Sequence, residues 1–201
     1  MTDDLTSSHL QPAGVGAFFR PRDVLPLGFT HHKIQRMVAE GRAERVGHGL
    51  YRLADAEATE TETIAMVVSA VPHAIVCLLS ALRVHDIGTQ SPRQVWLAID
   101  RKARRPTRLP AAVRIVRFSR QMLTYGVVTR TMQGVAVRIT TPARTVVDCF
   151  RYRNKIGLDV AMEALRDAVR SRKAMVSEID RAAAVCRIST VIGPYLEALS
   201  A

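Results

Sequence analysis

Apolar residues recur along the chain at three different spacings, and each predicts a different architecture. Between Arg22 and Leu53 they come in short bursts. Ile34, Met37 and Val38 stand at i, i+3 and i+4, the stripe of one amphipathic helix. Ala43–Val46 and Leu50–Arg52 flank Gly47-His48-Gly49, which reads as a hairpin. Pro21 suits a first helical position, where its missing N–H is no loss. A short helix through Asp23 and Val24 should stop near Pro26, and Gly28 supplies a turn. Thr30 is placed to cap the second helix and Gly41 to end it. Two helices, a turn between them and a two-stranded wing behind form the order of a winged helix-turn-helix. Residues 1–17 are weakly patterned, and only Leu5–Leu10 offers a further short helix there. Leu53–Thr59 (LADAEAT) reads as a joint.

The second spacing is a continuous apolar run. Thr63–Leu82 carries no formal charge over membrane-span length. Pro72-His73 breaks it in the middle, so two buried helices meeting at Val71-Pro72 are expected, the first capped by Thr59, and no membrane span. Val95–Ile99 (VWLAI) then reads as a buried strand. Val113–Ser119 alternates like a half-buried one, and Val127–Met132 with Val135–Ile139 flank Gln133-Gly134 as a second hairpin.

From Thr141 the spacing is helical. Thr141-Pro142 is a cap followed by proline, and Val146, Val147 and Phe150 form an inward face. Leu158, Ala161, Met162, Leu165 and Val169 follow the helical period. Ser177 with Asp180 resembles a capping box. Gly193-Pro194 opens a last short helix, with Tyr195, Leu196 and Leu199 sealing the core. The fold class expected is therefore α+β, with an N-terminal winged helix-turn-helix (residues 1–53), then a mixed domain (residues 59–201) holding a small sheet and a C-terminal helical bundle.

Composition adds a partner. Nearly half of the 201 residues are hydrophobic, so a packed core is expected rather than disorder. The balance of 29 Lys+Arg against 18 Asp+Glu leaves a formal charge of +11. A chain this basic suits a polyanion, nucleic acid above all, although a basic surface also serves solubility alone. Cys77, Cys149 and Cys186 are scattered with no CxxC pair, so neither a zinc site nor a disulfide framework is expected, consistent with a reducing cytoplasm. The first ten residues lack the basic start and apolar core of a signal peptide.

The chemistry of the front stretch sharpens that partner to duplex DNA. Thr30, His31, His32, Lys33, Gln35 and Arg36 fall mostly off the apolar stripe. Gln35 and Arg36 are the base readers expected, since amide and guanidinium groups make paired hydrogen bonds to base edges, while Lys33 suits a phosphate. Arg45, His48 and Arg52 on the wing suit phosphate or the minor groove, and Tyr51 can pack inward. A second basic patch, Arg101, Lys102, Arg104, Arg105 and Arg108, continues into Arg114, Arg117 and Arg120 with no acid between Arg101 and Arg120. It fits DNA, RNA or a solvated loop equally.

Other constellations carry less. Asp159, Glu163 and Asp167 line one helix face, but Arg166 and Arg170 stand at ion-pair spacing, which favours a salt-bridged surface over a metal or acid/base site. Asp100-x-Lys102 lacks the second acid that metal-dependent cleavage needs. Ser80, His85 and Asp86 contain triad letters without a nucleophile turn. His31-His32 is no metal pair, because neighbours on a helix point about 100° apart. No cofactor is expected.

GRAERVGHGLYRL, TPARTVVDCF and RYRNKIGLDVAMEALRDAVR resemble the AbiEi antitoxins of type IV toxin–antitoxin systems, over roughly Phe18 to Leu199. The resemblance implies an N-terminal winged-helix domain and a C-terminal antitoxin domain. It implies repression of the protein's own operon through inverted repeats in the promoter. It also implies neutralisation of a nucleotidyltransferase-like toxin without a stable toxin–antitoxin complex. The alternative left open by the residues is a module that docks a toxin or another protein directly, with no specific DNA binding. A nuclease is a third class, and it would need Asp100 for metal-dependent cleavage.

Overall fold

The computed structural model describes residues 17–56 and 61–200. They build an α+β protein with a three-stranded and a five-stranded sheet. By packing, the described residues group into two units, one within Met1–His73, Arg104–Ala112 and Arg130–Val137, the other within Ala74–Ala103, Val113–Thr129 and Arg138–Ala201. The joint expected between residues 53 and 59 does not coincide with this division. Residues 61–73 group with the front elements, where Arg52 Nε lies 2.6 Å from Glu62 Oε1. The helix expected over Leu5–Leu10 and the cap expected at Thr59 lie outside the described residues.

The first unit opens with β1 (Phe18–Phe19), then α1 (Pro21–Val24), a 3-10 turn (Leu25–Leu27) and α2 (His31–Ala39). The hairpin β2 (Ala43–Gly47) and β3 (Leu50–Leu53) follows, then α3 (Glu62–Ala70). Strand order is β1-β3-β2, with Phe18 opposite Arg52 and Phe19 opposite Tyr51. Strand β1 was not expected, because two residues cannot show alternation. Its burial gives the reason it forms: Phe19 stacks on Tyr51 with ring centroids 5.6 Å apart. Ile34 and Met37 of α2 are buried with Phe19, Val24, Phe29, Ala43, Tyr51 and Leu53. Burying side chains of this size contributes roughly 1.5–3 kcal/mol each, which is what holds a nine-residue helix too short to persist alone.

The apolar run beyond α3 breaks at Pro72-His73 as expected, but a strand intervenes before the next helix. This is β4 (Ile75–Val76), followed by α4 (Leu78–Val84). Periodicity cannot tell a two-residue buried strand from a buried helix segment. Strand β4 pairs antiparallel with β5 (Val95–Asp100) and parallel with β8 (Val135–Thr140). Strand β6 (Val113–Phe118) runs parallel to β5, and β7 (Val127–Met132) completes the order β6-β5-β4-β8-β7. Parallel neighbours need a long crossover, usually a helix. Here residues 101–112, the basic stretch, make that crossover without one.

In the second unit the buried centre is α5 (Pro142–Arg151), whose residues Arg144 through Phe150 are all buried. It packs against α4, α7 (Leu158–Arg170) and α8 (Val176–Cys186), and α6 (Arg153–Ile156) links it to α7. Three expectations need correction here. Helix α8 begins at Val176, not after Ser177: Glu178 accepts the Met175 N–H at 2.9 Å, so Glu178 rather than Asp180 is the capping acid. Helix α9 (Ser189–Ser200) runs through Pro194 instead of starting there. Its buried Ile192 and Leu196 lie on either side of the proline, which removes only one helical hydrogen bond. Leu158 and Leu199 are exposed rather than core, and the inward face of α7 is Val160, Ala161, Ala164, Leu165 and Ala168. All three cysteines are buried and free.

Candidate nucleic-acid interface

The turn between α1 and α2 rests on two residues. Gly28 has φ +84°, a conformation open to glycine at little cost. Thr30 is extended, and its hydroxyl accepts the Lys33 N–H at 3.1 Å, capping α2. Gly41, at φ +70°, takes the chain out of the helix. The hydroxyl of Thr30 is thus engaged in holding the helix start.

At about 100° per residue, His31, His32, Gln35 and Arg36 occupy one arc of α2 and Ile34 and Met37 the opposite arc. The structure agrees: the first four are exposed and the last two buried. No acid stands in the first turn. Two members of the predicted set have partners. Lys33 is half-buried, with its ammonium 5.0 Å from the centre of the Phe29 ring. Arg36 Nε lies 3.5 Å from Glu40 Oε1, and Glu40 also takes Arg42 at 2.5 Å. An exposed pair of this kind is worth well under about 1 kcal/mol, so Arg36 can leave it. His31 and His32 at the start of the helix and Gln35 at its middle form its exposed face.

The wing is divided. His48 stands exposed at the tip of the hairpin. Arg45 is exposed, with its Nε–H turned to the Gly47 carbonyl at 3.4 Å. The pairing of β2 with β3 shifts register between Arg45 and Gly47, and such a bulge re-aims the side chains beside it. Arg52 differs from expectation. It donates to the carbonyls of Leu53 (3.3 Å) and Ala56 (2.8 Å) and sits beside Glu62. It braces the unit, and its charge is already matched. Tyr51 packs inward.

Arg101, Lys102, Arg104, Arg105 and Arg108 are all exposed. Arg101 and Lys102 group with the second unit, and Arg104, Arg105 and Arg108 with the first. Lys102 donates its backbone N–H to Asp100 Oδ1 at 2.7 Å, so Asp100-x-Lys102 is a turn. Arg117 reaches the carbonyls of Asp100, Arg101 and Ala103, pinning the start of the loop. Arg114 lies over the Trp96 ring at 5.1 Å. In the first unit, the far end of the loop meets the wing: a Cβ on Gly47 would sit 3.6 Å from the Pro110 Cβ. A cleft of about 230 Å³ there is lined by Arg20, His48, Leu50, Thr107, Arg108 and Pro110, among others.

The remaining polar clusters serve the second unit. Glu163 accepts from the Thr89 hydroxyl (2.7 Å), the Thr89 N–H (2.9 Å) and the Gln90 amide (3.2 Å), and Asp167 accepts from the Gly88 N–H at 2.9 Å. These bonds hold both carboxyls below their usual range, the Thr89 hydroxyl leading for Glu163 and the Gly88 amide for Asp167. The expected ion pair between Arg170 and Asp167 is present at 2.8 Å. Ser80 accepts the Trp96 N–H, the His85 ring meets the Thr140 carbonyl at 2.6 Å and Asp86 faces Lys173. The three triad letters therefore point to separate partners. Reading by residue type missed Arg144 and Asp148, buried together on α5. Their i, i+4 spacing inside an apolar stretch was the available signal. Among the described residues, no helix is long and apolar enough to cross a membrane.

Residues 15–54 match the model of a family described as "transcriptional regulator, AbiEi antitoxin". The match covers the two helices and the wing, the part of the resemblance carried by GRAERVGHGLYRL, and that family is one of regulators rather than enzymes. The other two segments that carry the resemblance lie beyond it. No curated protein matches the chain.

Proposed function

With the front of the chain matching AbiEi antitoxin regulators, we propose that this protein is a sequence-specific DNA-binding repressor, the antitoxin of a type IV toxin–antitoxin system. Residues 1–53 are the reader and residues 59–201 the antitoxin domain. Helix α2 enters the major groove of an inverted repeat in the protein's own promoter. Gln35 and Arg36 read base edges, His31 and His32 support them at the start of the helix, and Arg45 and His48 meet the backbone from the wing. The partner protein is a nucleotidyltransferase-like toxin in the same cytoplasm, neutralised without a stable complex. The chain is not an enzyme in this reading.

One observation carries the proposal. The amide, imidazole and guanidinium groups of α2 face outward on an arc opposite the buried Ile34 and Met37. A helix propped from behind by a core, with no acid in its first turn, turns its hydrogen-bonding groups outward, and this exposure is what supports the reading. The test is a reporter fused to the promoter upstream of this gene. Wild-type protein should lower its output, and a Gln35→Ala/Arg36→Ala variant should not. Equal output with both proteins contradicts the proposal.

A further inference from the structure

We propose that the loop Arg104–Pro110 and the wing together form a seat for the sugar–phosphate backbone of duplex DNA, outside the groove that α2 occupies. The inference rests on the DNA-binding reading of α2 and adds a second contact to it. The crossover between the parallel strands β5 and β6 is where a helix would ordinarily lie. Pro106 and Pro110 break a helix there, and long irregular connections in compact domains usually serve a function. This one carries Arg104, Arg105 and Arg108, all exposed, with no ion pair to any of them among the described residues.

The seat is built. Pro110 lies against Gly47, which brings Thr107 and Arg108 beside His48 at the wing tip. Arg20 lines the same cleft, held by the carbonyls of Ser69 and Ala70 at 3.1 Å each. No acid lines it. At about 230 Å³ it is smaller than the roughly 300–1,000 Å³ of pockets that enclose small molecules. A cleft of this size, lined by Arg20 and Arg108 and by no acid among the described residues, suits one phosphate group at a time rather than a whole nucleotide. Arg108 takes φ +55°, unusual for a residue with a side chain. The wing and loop would then position the protein without reading sequence, while α2 reads it.

The test measures binding of the full chain to its upstream duplex and to a scrambled duplex across a salt series. The variant is Arg104→Ala/Arg105→Ala/Arg108→Ala, and its lysine counterpart keeps the charges. Each phosphate contact contributes about 0.9 to the slope of log K against log salt. The alanine variant should bind both duplexes more weakly, with a slope flatter by roughly 2–3, and should keep the wild-type preference for the upstream duplex. The lysine variant should keep most of the slope. Unchanged duplex binding by the alanine variant, beside normal binding by wild type, overturns the seat and leaves the α2 reading intact. So does a loss confined to an RNA probe, which would assign the loop to RNA. Absence of salt-dependent duplex binding by wild type overturns both.

Discussion

Arg144 and Asp148 lie one helical turn apart on α5, with Nε 3.0 Å from Oδ1 and neither side chain exposed. Arg144 also donates to the carbonyls of Met122 (3.3 Å) and Tyr125 (2.6 Å), and its guanidinium lies 5.0 Å from the Phe118 ring centre. The chain makes room for it at Gly126, where a Cβ would come within 2.8 Å of the Arg144 Cβ. Among the described residues, Arg144 Nη2 and Asp148 Oδ2 have no hydrogen-bond partner, so the pair is incompletely satisfied. Replacing Arg144 with Met should cost about 3–5 kcal/mol in urea unfolding, since it strands a buried carboxyl and two carbonyls. Replacing both residues with apolar ones of similar volume should cost less than that single change. An Arg144→Met variant as stable as wild type would show that the pair organises nothing.

Burial pushes the Asp148 carboxyl up to about 6, and the attraction of Arg144 offsets this only in part. The folded value lies above the ordinary 3.8, so the folded state holds this proton more tightly than the unfolded one. The stabilisation is complete below the ordinary value and is lost as pH rises through about 6. Relative to Asp148→Asn, which cannot ionise, wild type should therefore lose about 2–3 kcal/mol between pH 4 and pH 7. Paired urea titrations at those two pH values check this. A gap that stays constant, or that moves in favour of wild type, contradicts it.

Glu163 and Asp167 behave in the opposite sense. Their carboxyls are held below the usual range by the Gly88–Gln90 loop. Stability from these bonds is present above the ordinary carboxylate values and lost as pH falls through the lowered ones. Glu163→Gln should cost about 0.5–1.5 kcal/mol near neutrality, and the difference should close in acid. Thermal unfolding across a pH series measures it, and a difference that widens in acid contradicts the assignment.

In the reader, Thr30→Ala removes the cap of α2 and should cost about 1 kcal/mol of stability. Operator binding should weaken with it, while discrimination between bases stays as in wild type. Gln35→Ala and Arg36→Ala should leave stability nearly unchanged. Each should weaken operator binding by about 1–3 kcal/mol and relax preference at one base pair. Binding measured against a set of single-base operator variants separates the two outcomes. Equal loss on every sequence would make the residue a phosphate contact.

Much of this molecule is legible in its sequence, and the exceptions have common causes. Helix α2 is readable because its stripe, its cap at Thr30 and its stop at Gly41 agree with one another. Helix α5 is readable from Thr141-Pro142. Strands β1 and β4 are not, because two buried residues carry no period and form only where a partner strand waits. Charge is legible as composition but not as geometry. Arg52 and Arg117 read like surface cations, yet their guanidinium groups meet carbonyls close in the fold. The placement of Arg108 beside His48 depends on a crossover that no local pattern announces. Buried Arg144 and Asp148 run against the rule that charge lies outside, and their i, i+4 spacing in an apolar stretch hints at a pair whose burial only the packing around α5 establishes.

The most direct test of DNA reading by α2 is a gel shift with the duplex immediately upstream of this gene, run against a scrambled duplex at two salt concentrations. Sequence-specific reading by α2 should give a discrete complex on the upstream duplex that persists at the higher salt, weaker binding to the scrambled one, and loss of the distinction in Gln35→Ala/Arg36→Ala. Equal binding to both duplexes that vanishes together as salt rises, with the variant indistinguishable from wild type, would contradict it.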